Sequence, residues 1–283
     1  MAYLRLLRVG PMRLLDYIKE CGVDVESSGG DLQLADGTTA ELFLNPESVE
    51  YCIAENLSEA VVVVHTDSDT AKLSFDIGAC GKLNLVEVFL GGCFAECNIR
   101  QQAGSVCEVV SIVVADAIAD YTIDLNGKRS SNVLRSAFVV SDKERAKVAV
   151  RVNHNYSDCT SDSLVKGVAA GEAVGEFNGL VYVAQDAQRT DARQTSRNIE
   201  IGRDAKIITK PQLEIYADDV KCSHGATVGQ LDGEAILYMR QRGLSEAQAR
   251  TLQIEGFVKD IALWSKNLSD ELVDELGAKL ETL

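Results

Sequence analysis

Proline and aromatic side chains are scarce in this 283-residue chain, with three Pro and 6% Phe, Trp and Tyr. The apolar load, 46% of all residues, falls instead on Val, Leu, Ile and Ala. That mixture suits a narrow interior lined by branched side chains. No apolar run approaches the roughly 18 residues that a membrane-spanning helix needs. The basic start is interrupted by Pro11 and is not followed by a long apolar stretch, so it does not read as a secretory signal. Without such a signal, the eight cysteines at 21, 52, 80, 93, 97, 107, 159 and 222 read as reduced thiols of a cytoplasmic protein. Basic charge is also short. The net charge of −15 argues against nucleic acid or an anionic membrane surface as a partner, because phosphate binding needs a Lys/Arg surface.

Several catalytic signatures are missing. Gly81-Lys82 and Gly127-Lys128 lack the loop and the Ser/Thr of a phosphate-binding motif, so the chain itself should not hydrolyse ATP. G-x-S-x-G, H-E-x-x-H and C-x-x-C do not occur. The Gly-rich pieces are not followed by helical stretches, which removes support for a dinucleotide fingerprint.

What is present is a series of short strand-like runs. A helix over 11–20 and a second over 47–57, after an Asn45-Pro46 turn, belong to a mixed N-terminal region, 1–60. From 61 to 231 apolar or alternating runs recur between Gly, Asn, Asp and Ser: 61–64, 83–90, 106–114, 121–125, 137–140, 148–152, 180–183, 199–201 and 207–215. So many short strands fit an antiparallel sandwich or a solenoid whose coils stack. Asn126-Gly127 and Asn178-Gly179 are the only good hairpin signals, fewer than a sandwich should show. The small-residue stretch 167–171 suits a solenoid corner. No strict repeat is visible, yet the balance favours the solenoid.

Residues 232–283 read as helical. Asp232 caps a helix carrying Ile236, Leu237 and Met239, with Arg240 and Arg242 in its last turn and Gly243 as its stop. Ser245 and Gln248 form a capping box for the next helix, where Ile254, Phe257, Val258 and Ile261 share one face. Ser269 caps a last helix. These helices either cover the open edge of the strand system or, with Trp264, dock a partner; the residues alone favour the first.

Only three histidines exist. His65 ends an apolar run and reads as a strand-end residue. His154 and Cys159 stand five apart, which would suit a dyad, but a turn explains the segment as well. Cys93 and Cys97 read as structural, and Cys107 as a small core residue. Cys222 and His224 are the strongest pair. Alternation places both on one face of a strand, and thiolate and imidazole are ligands for zinc, copper and iron–sulfur clusters. Two ligands cannot complete a tetrahedral site, so others must come from elsewhere in the fold or from a partner. Lys221 would lower the Cys222 pKa, and Asp218 and Asp219 would raise it.

From His154 onward, several motifs occur in a telling order. They are 161–167 (Ser-Asp-Ser-Leu-Val-Lys-Gly), Phe177-Asn178-Gly179, 187–192 (Ala-Gln-Arg-Thr-Asp-Ala), Gln194-Thr195, Arg197-Asn198, 210–215 (Lys-Pro-Gln-Leu-Glu-Ile), 217–232, and Arg240-Gln241-Arg242-Gly243. Over roughly 153–262 the chain resembles the SufB/SufD family of scaffold proteins in SUF iron–sulfur cluster assembly, and Cys-Ser-His-Gly-Ala-Thr resembles its SufD type. The resemblance implies a mainly β fold, a right-handed parallel β-helix with flanking N- and C-terminal helices. It implies a non-catalytic scaffold subunit beside a SufB-type scaffold subunit and a SufC-type ABC ATPase, with a possible homodimer when alone. A transient iron–sulfur cluster would form at the SufB-type interface, with His224 and the neighbouring Cys222 as this chain's iron or cluster ligands. The ATPase would dock on the C-terminal helices, for which Tyr238, Arg240, Arg242, Phe257 and Ile261 are the candidate contacts. SufD-type chains usually carry a longer region before the β-helix than the segment 1–60 provides here. Two other classes stay open: a β-helix enzyme acting on polysaccharide, and a purely structural partner without a ligand role.

Overall fold

A computed structural model describes residues 12–26 and 28–283. In chain order the strands are β1 (Gly29–Gln33), β2 (Thr39–Leu44), β3 (Ser48–Ile53), β4 (Ser58–His65), β5 (Thr70–Ile77), β6 (Lys82–Phe89), β7 (Cys93–Gln101) and β8 (Val106–Val113). They continue with β9 (Ala117–Leu125), β10 (Ser131–Val140), β11 (Arg145–His154), β12 (Thr160–Ala170), β13 (Val174–Val183), β14 (Thr190–Ile201), β15 (Lys206–Ile215) and β16 (Val220–Gly229). The helices are α1 (Leu14–Glu20) before them, and α2 (Gly233–Gln241), α3 (Glu246–Leu263) and α4 (Ser269–Leu280) after them.

Successive strands alternate between two sheets. One has the order β1-β2-β4-β6-β8-β10-β12-β14-β16 and the other β15-β13-β11-β9-β7-β5-β3. Apart from the β1–β2 hairpin, the described ladders are parallel. Each coil therefore consists of one strand from each sheet, and the molecule is a parallel β-helix, a winding that is right-handed where chirality applies. Its repeat is hidden in the sequence because the coils differ in length. Leu85 has Val61 and Val109 as its partners, whereas Gln194 has Ser163 and His224, a wider spacing on both sides.

One corner does repeat in the backbone. Asn56, Cys80, Gly104, Arg129, Asp158 and Arg189, the turn residues two positions before β4, β6, β8, β10, β12 and one before β14, all have positive φ. The amide of each bonds to a carbonyl one coil on, as in Cys80 to Ala103 and Asp158 to Gln188. Five of the six are not glycine, so the left-handed corner is held by stacked hydrogen bonds rather than by residue preference.

The two sheets have different outer faces, and this explains the mixture of continuous and alternating runs. The odd strands β7, β9 and β11 alternate buried and more exposed residues, because one face looks to solvent. The even strands β4, β6, β8 and β10 end in unbroken buried runs. Their inward side chains, including Val61, Leu85, Val109 and Leu134, fill the coil. Their outward ones, including Val62, Val88, Ile112 and Val139, are covered by Leu14 and Ile18 of α1, Ile254, Val258 and Ile261 of α3, and Leu272, Leu276 and Leu280 of α4.

Several sequence expectations change here. Residues 47–57 hold β3 rather than a helix, and strands begin at Gly29 rather than near 61. Asn178-Gly179 lies inside β13 and Gly167 inside β12, so neither marks a turn; Gly171, with φ +67°, is the corner. Pro11 lies outside the described residues. The helix that follows is capped at its C-terminal end by Cys21 and Gly22. Asp232 and the Ser245–Gln248 capping box cap α2 and α3 as expected, while the position before α4 is taken by Leu268 rather than Ser269. The helices cover the outer face of the nine-stranded sheet, and the edge formed by β15 and β16 stays open because the helix apolar stripe matches a flat apolar face.

Candidate functional site

Stacked parallel strands place residues in columns, and two inward columns end at the candidate site. Val61, Leu85, Val109, Leu134, Ser163, Gln194 and His224 are successive Cα partners. Leu83, Cys107, Asn132, Ser161, Ala192 and Cys222 form the neighbouring column. His224 and Cys222 thus occupy interior positions on the last strand, where no further coil closes over them. His224 is exposed, and Cys222 is half-buried against Val181, Val183, Ala187, Ala192 and Ala217. Burial pushes the Cys222 thiol above its ordinary value; a backbone hydrogen bond from Ala192 opposes this and Asp191 adds to it. The acid that bears on the thiol thus comes from the preceding coil, and not from Asp218 or Asp219. A raised pKa favours the protonated thiol.

The coil interior changes character along its axis. The two columns that lead to Cys222 and His224 begin with aliphatic side chains, Val61, Leu83 and Leu85, and then pass through Asn132, Ser161, Ser163 and Gln194, all buried. Among the described buried atoms, Asn132 Oδ1, Ser136 Oγ, His154 Nδ1, Gln194 Oε1 and Asn198 Oδ1 have no hydrogen-bond partner. Unpaired buried polar atoms are costly, and ordered water is their usual partner.

The other two histidines sit deep in the coil. His65 Nε2 lies 2.9 Å from Glu87 Oε1 and its Nδ1 3.5 Å from Cys93 Sγ, while Tyr121 donates to Glu87 Oε2 at 2.6 Å. Burial alone would lower the His65 pKa, but the Cys93 and Glu87 interactions outweigh it and raise it to about 9. This network escaped sequence reasoning because its members are far apart in the chain and meet only through the coil repeat. His154 Nε2 pairs with Ser161 Oγ at 2.8 Å, whereas Cys159 Sγ donates to Gly127 O, so the two are not a dyad. Burial lowers the His154 pKa to about 4. Cys97 and Cys107 are buried packing residues, and Cys93 is buried with its thiol against the His65 ring.

The candidate docking residues divide into two groups. Tyr238, Arg240 and Arg242 are exposed on and just after α2, with the Arg242 guanidinium 4.6 Å above the Tyr238 ring and Arg240 3.4 Å from Glu246. Ile261 is 1% exposed in the contact of α3 with the sheet, and Phe257 is half-buried beside it. These two belong to the packing face, so in the folded chain Ile261 offers a partner nothing. Leu237, also on α2, is 54% exposed.

No group of three or more His, Cys, Asp or Glu able to hold a metal occurs among the described residues. Cys222 and His224 are two side chains with donor atoms on an open strand. Residues 51–257 match a family profile described as SUF system FeS cluster assembly, SufBD core domain. The iron–sulfur cluster assembly protein SufD of Escherichia coli is 39% identical over 158 residues, covering 55% of this chain and 37% of that protein. An iron–sulfur cluster assembly SufBD family protein of Synechocystis is 42% identical over 112 residues, 40% of this chain and 24% of its own length. A SufBD family protein of Mycobacterium bovis is 28% identical over 233 residues, 78% of this chain and 53% of its own. The chain therefore spans about half or less of the length of these relatives.

Proposed function

The chain belongs to the SufBD family of the SUF iron–sulfur cluster assembly system, and from that premise we propose that it is a non-catalytic scaffold subunit whose open coil end presents half of a cluster-building site. His224 and Cys222 supply nitrogen and sulfur donors, and a SufB-type subunit seated against β15 and β16 supplies the rest. The iron–sulfur cluster is cargo, built across the boundary and handed on. A SufC-type ATPase docks on the surface of Leu237, Tyr238, Arg240 and Arg242. The site is cytoplasmic in this reading.

One observation carries the proposal. The inward columns that bury Val61 and Leu83 at one end leave His224 and Cys222 uncovered at the other. An interior position left open on an edge strand invites a second coil to close it. Ile215, Tyr216 and Val228, large apolar groups at or beside the ends of these strands, are exposed there. Neutral imidazole and thiolate both suit iron. Cys222, with its raised pKa, would release a proton as it binds.

The test is co-purification with SufB-type and SufC-type subunits, followed by iron and sulfide analysis of the complex. His224→Ala should leave the complex intact while cluster assembly falls at least tenfold. Assembly at the normal rate would make the chain a structural partner alone.

A further inference from the structure

Among the described residues β16 has β14 as its one partner in the sheet, and the residues that lead into it are fastened to the coil below. Gln188, in the corner before β14, accepts the Asp219 N–H on its side-chain Oε1 at 2.9 Å, while its Nε2 donates to Gln185 O at 2.8 Å. Arg189 donates its backbone N–H to Asp219 O at 2.6 Å. Two consecutive residues of one coil thus grip Asp219 of the next at both its amide and its carbonyl. The grip is anchored one coil further down. The Asp158 N–H donates to Gln188 O at 2.9 Å, and the Arg189 guanidinium forks onto the Asp158 carboxylate, Nε to Oδ1 at 2.5 Å and Nη2 to Oδ2 at 2.7 Å. Hydrogen bonds from Arg189 hold the Asp158 carboxyl down at about 2, so the pair is charged at neutral pH. Arg189 has φ +58°, the left-handed conformation in which its amide meets Asp219. Corners at 158, 189 and 219, on three successive coils, are therefore joined through side chains as well as backbone.

We infer that Gln188 and Arg189 are positioning residues for the last strand: they fix the corner from which β16 starts, so that the strand holds Cys222 and His224 in place before a partner arrives. Cys222 stands three residues beyond Asp219, about 10 Å along a strand. A strand with one neighbour belongs to the part of a fold that opens most readily, and its anchored end limits that opening. A surface held in its docking geometry loses less conformational freedom on association, which is what preorganisation contributes to affinity. The inference rests on the proposed role of β16 for its purpose but not for its geometry.

Amide hydrogen exchange of the 283-residue chain tests the clamp directly. Gln188→Met keeps the length of the side chain and removes its acceptor. Exchange across 218–224 should quicken about 2–10-fold, the loss of one net hydrogen bond, while β12 and β13 keep their rates. Gln188→Glu keeps an acceptor oxygen, so exchange there should match the unaltered chain. If Gln188→Met does not fold, Arg189→Ala releases the lower anchor and should quicken the same segment. In the complex, Gln188→Met should raise the partner concentration needed for half-maximal cluster assembly about 2–10-fold and leave the rate at saturation unchanged, because a partner in excess orders the strand by mass action. Unchanged exchange at 218–224 in Gln188→Met, equal quickening in Gln188→Glu, or quickening spread evenly over β12 and β13 would overturn the inference. The exchange is measured without partner or cargo. Normal assembly by the His224→Ala complex would therefore remove the cluster role and leave the clamp standing, and unmoved exchange in Gln188→Met would do the reverse.

Discussion

His65 and His154 occupy the same kind of buried interior, yet their pKa values move in opposite directions, His154 by burial and His65 by partners that outweigh burial. His65, raised to about 9 by Cys93 and Glu87 against the opposing effect of burial, carries its charge in the folded state at pH values where the unfolded chain, at its ordinary 6.5, has lost it. Its contribution to stability is complete below pH 6.5 and is lost as pH rises through about 9. His154, lowered to about 4 by burial, behaves in the opposite sense: its folded state resists protonation, so stability falls as pH drops from 6.5 toward 4. Urea midpoints measured from pH 4 to pH 10 should therefore decline at both ends. Glu87→Gln should flatten the alkaline decline, because it removes the anion that holds the His65 proton, and His154→Gln should flatten part of the acid one. An alkaline limb unchanged in Glu87→Gln would show that His65 is neutral in the fold.

At the scale of elements, α3 is attached to the sheet by a charged residue as well as by its apolar face. Lys166 on the outward face of β12 donates to Phe257 O at 2.7 Å and to both Asp260 carboxylate oxygens at 2.8 Å, with its ammonium 4.9 Å from the Phe257 ring. The side chain is 8% exposed, so its charge is stranded if the helix lifts. Hydrogen bonds involving charged groups contribute about 1.5–3 kcal/mol each. The Asp260 side chain is 56% exposed, so solvent screening reduces its share. Lys166→Met should cost about 1–2 kcal/mol in denaturant unfolding and loosen amide protection in α3 before that in the sheet. Uniform protection across α3 and β12 in the variant would place the attachment in the apolar contacts of Ile254, Val258 and Ile261 instead.

At the scale of the whole molecule, the two ends of the stack differ in how their edge strands pair. Among the described residues, at the first edge of the nine-stranded sheet β1 pairs only with β2, in an antiparallel hairpin, and at the last edge β16 pairs only with β14. Tyr216 and Val228 flank that edge with 62% and 42% of their surface exposed. Replacing both with Asp should abolish pairing with a SufB-type subunit, and any self-pairing of the chain alone, in sedimentation experiments. Thermal stability should change little, because surface substitutions typically stay within about 0.5 kcal/mol. Loss of the fold in this variant would mean that the edge residues pack within the chain and are not a docking surface.

The sequence alone determined the period-two runs, the helix caps at Asp232 and Ser245, and the pairing of Cys222 with His224 on one strand face, since each depends on residues a few positions apart. Its motifs also carried the family and, through the family, the β-helix. The coil repeat stayed hidden because it lengthens toward the last coils, and strand stacking tolerates extra residues at corners. Local signals misled at 47–57 and at Asn178-Gly179, where neighbouring coils override turn and helix preferences. Only the tertiary structure decided that the apolar face of α3 lies on the outer face of the nine-stranded sheet, brought His65, Glu87, Cys93 and Tyr121 together, and set Gln194 under His224. Those relations join positions on different coils and exist only once one coil lies on the next.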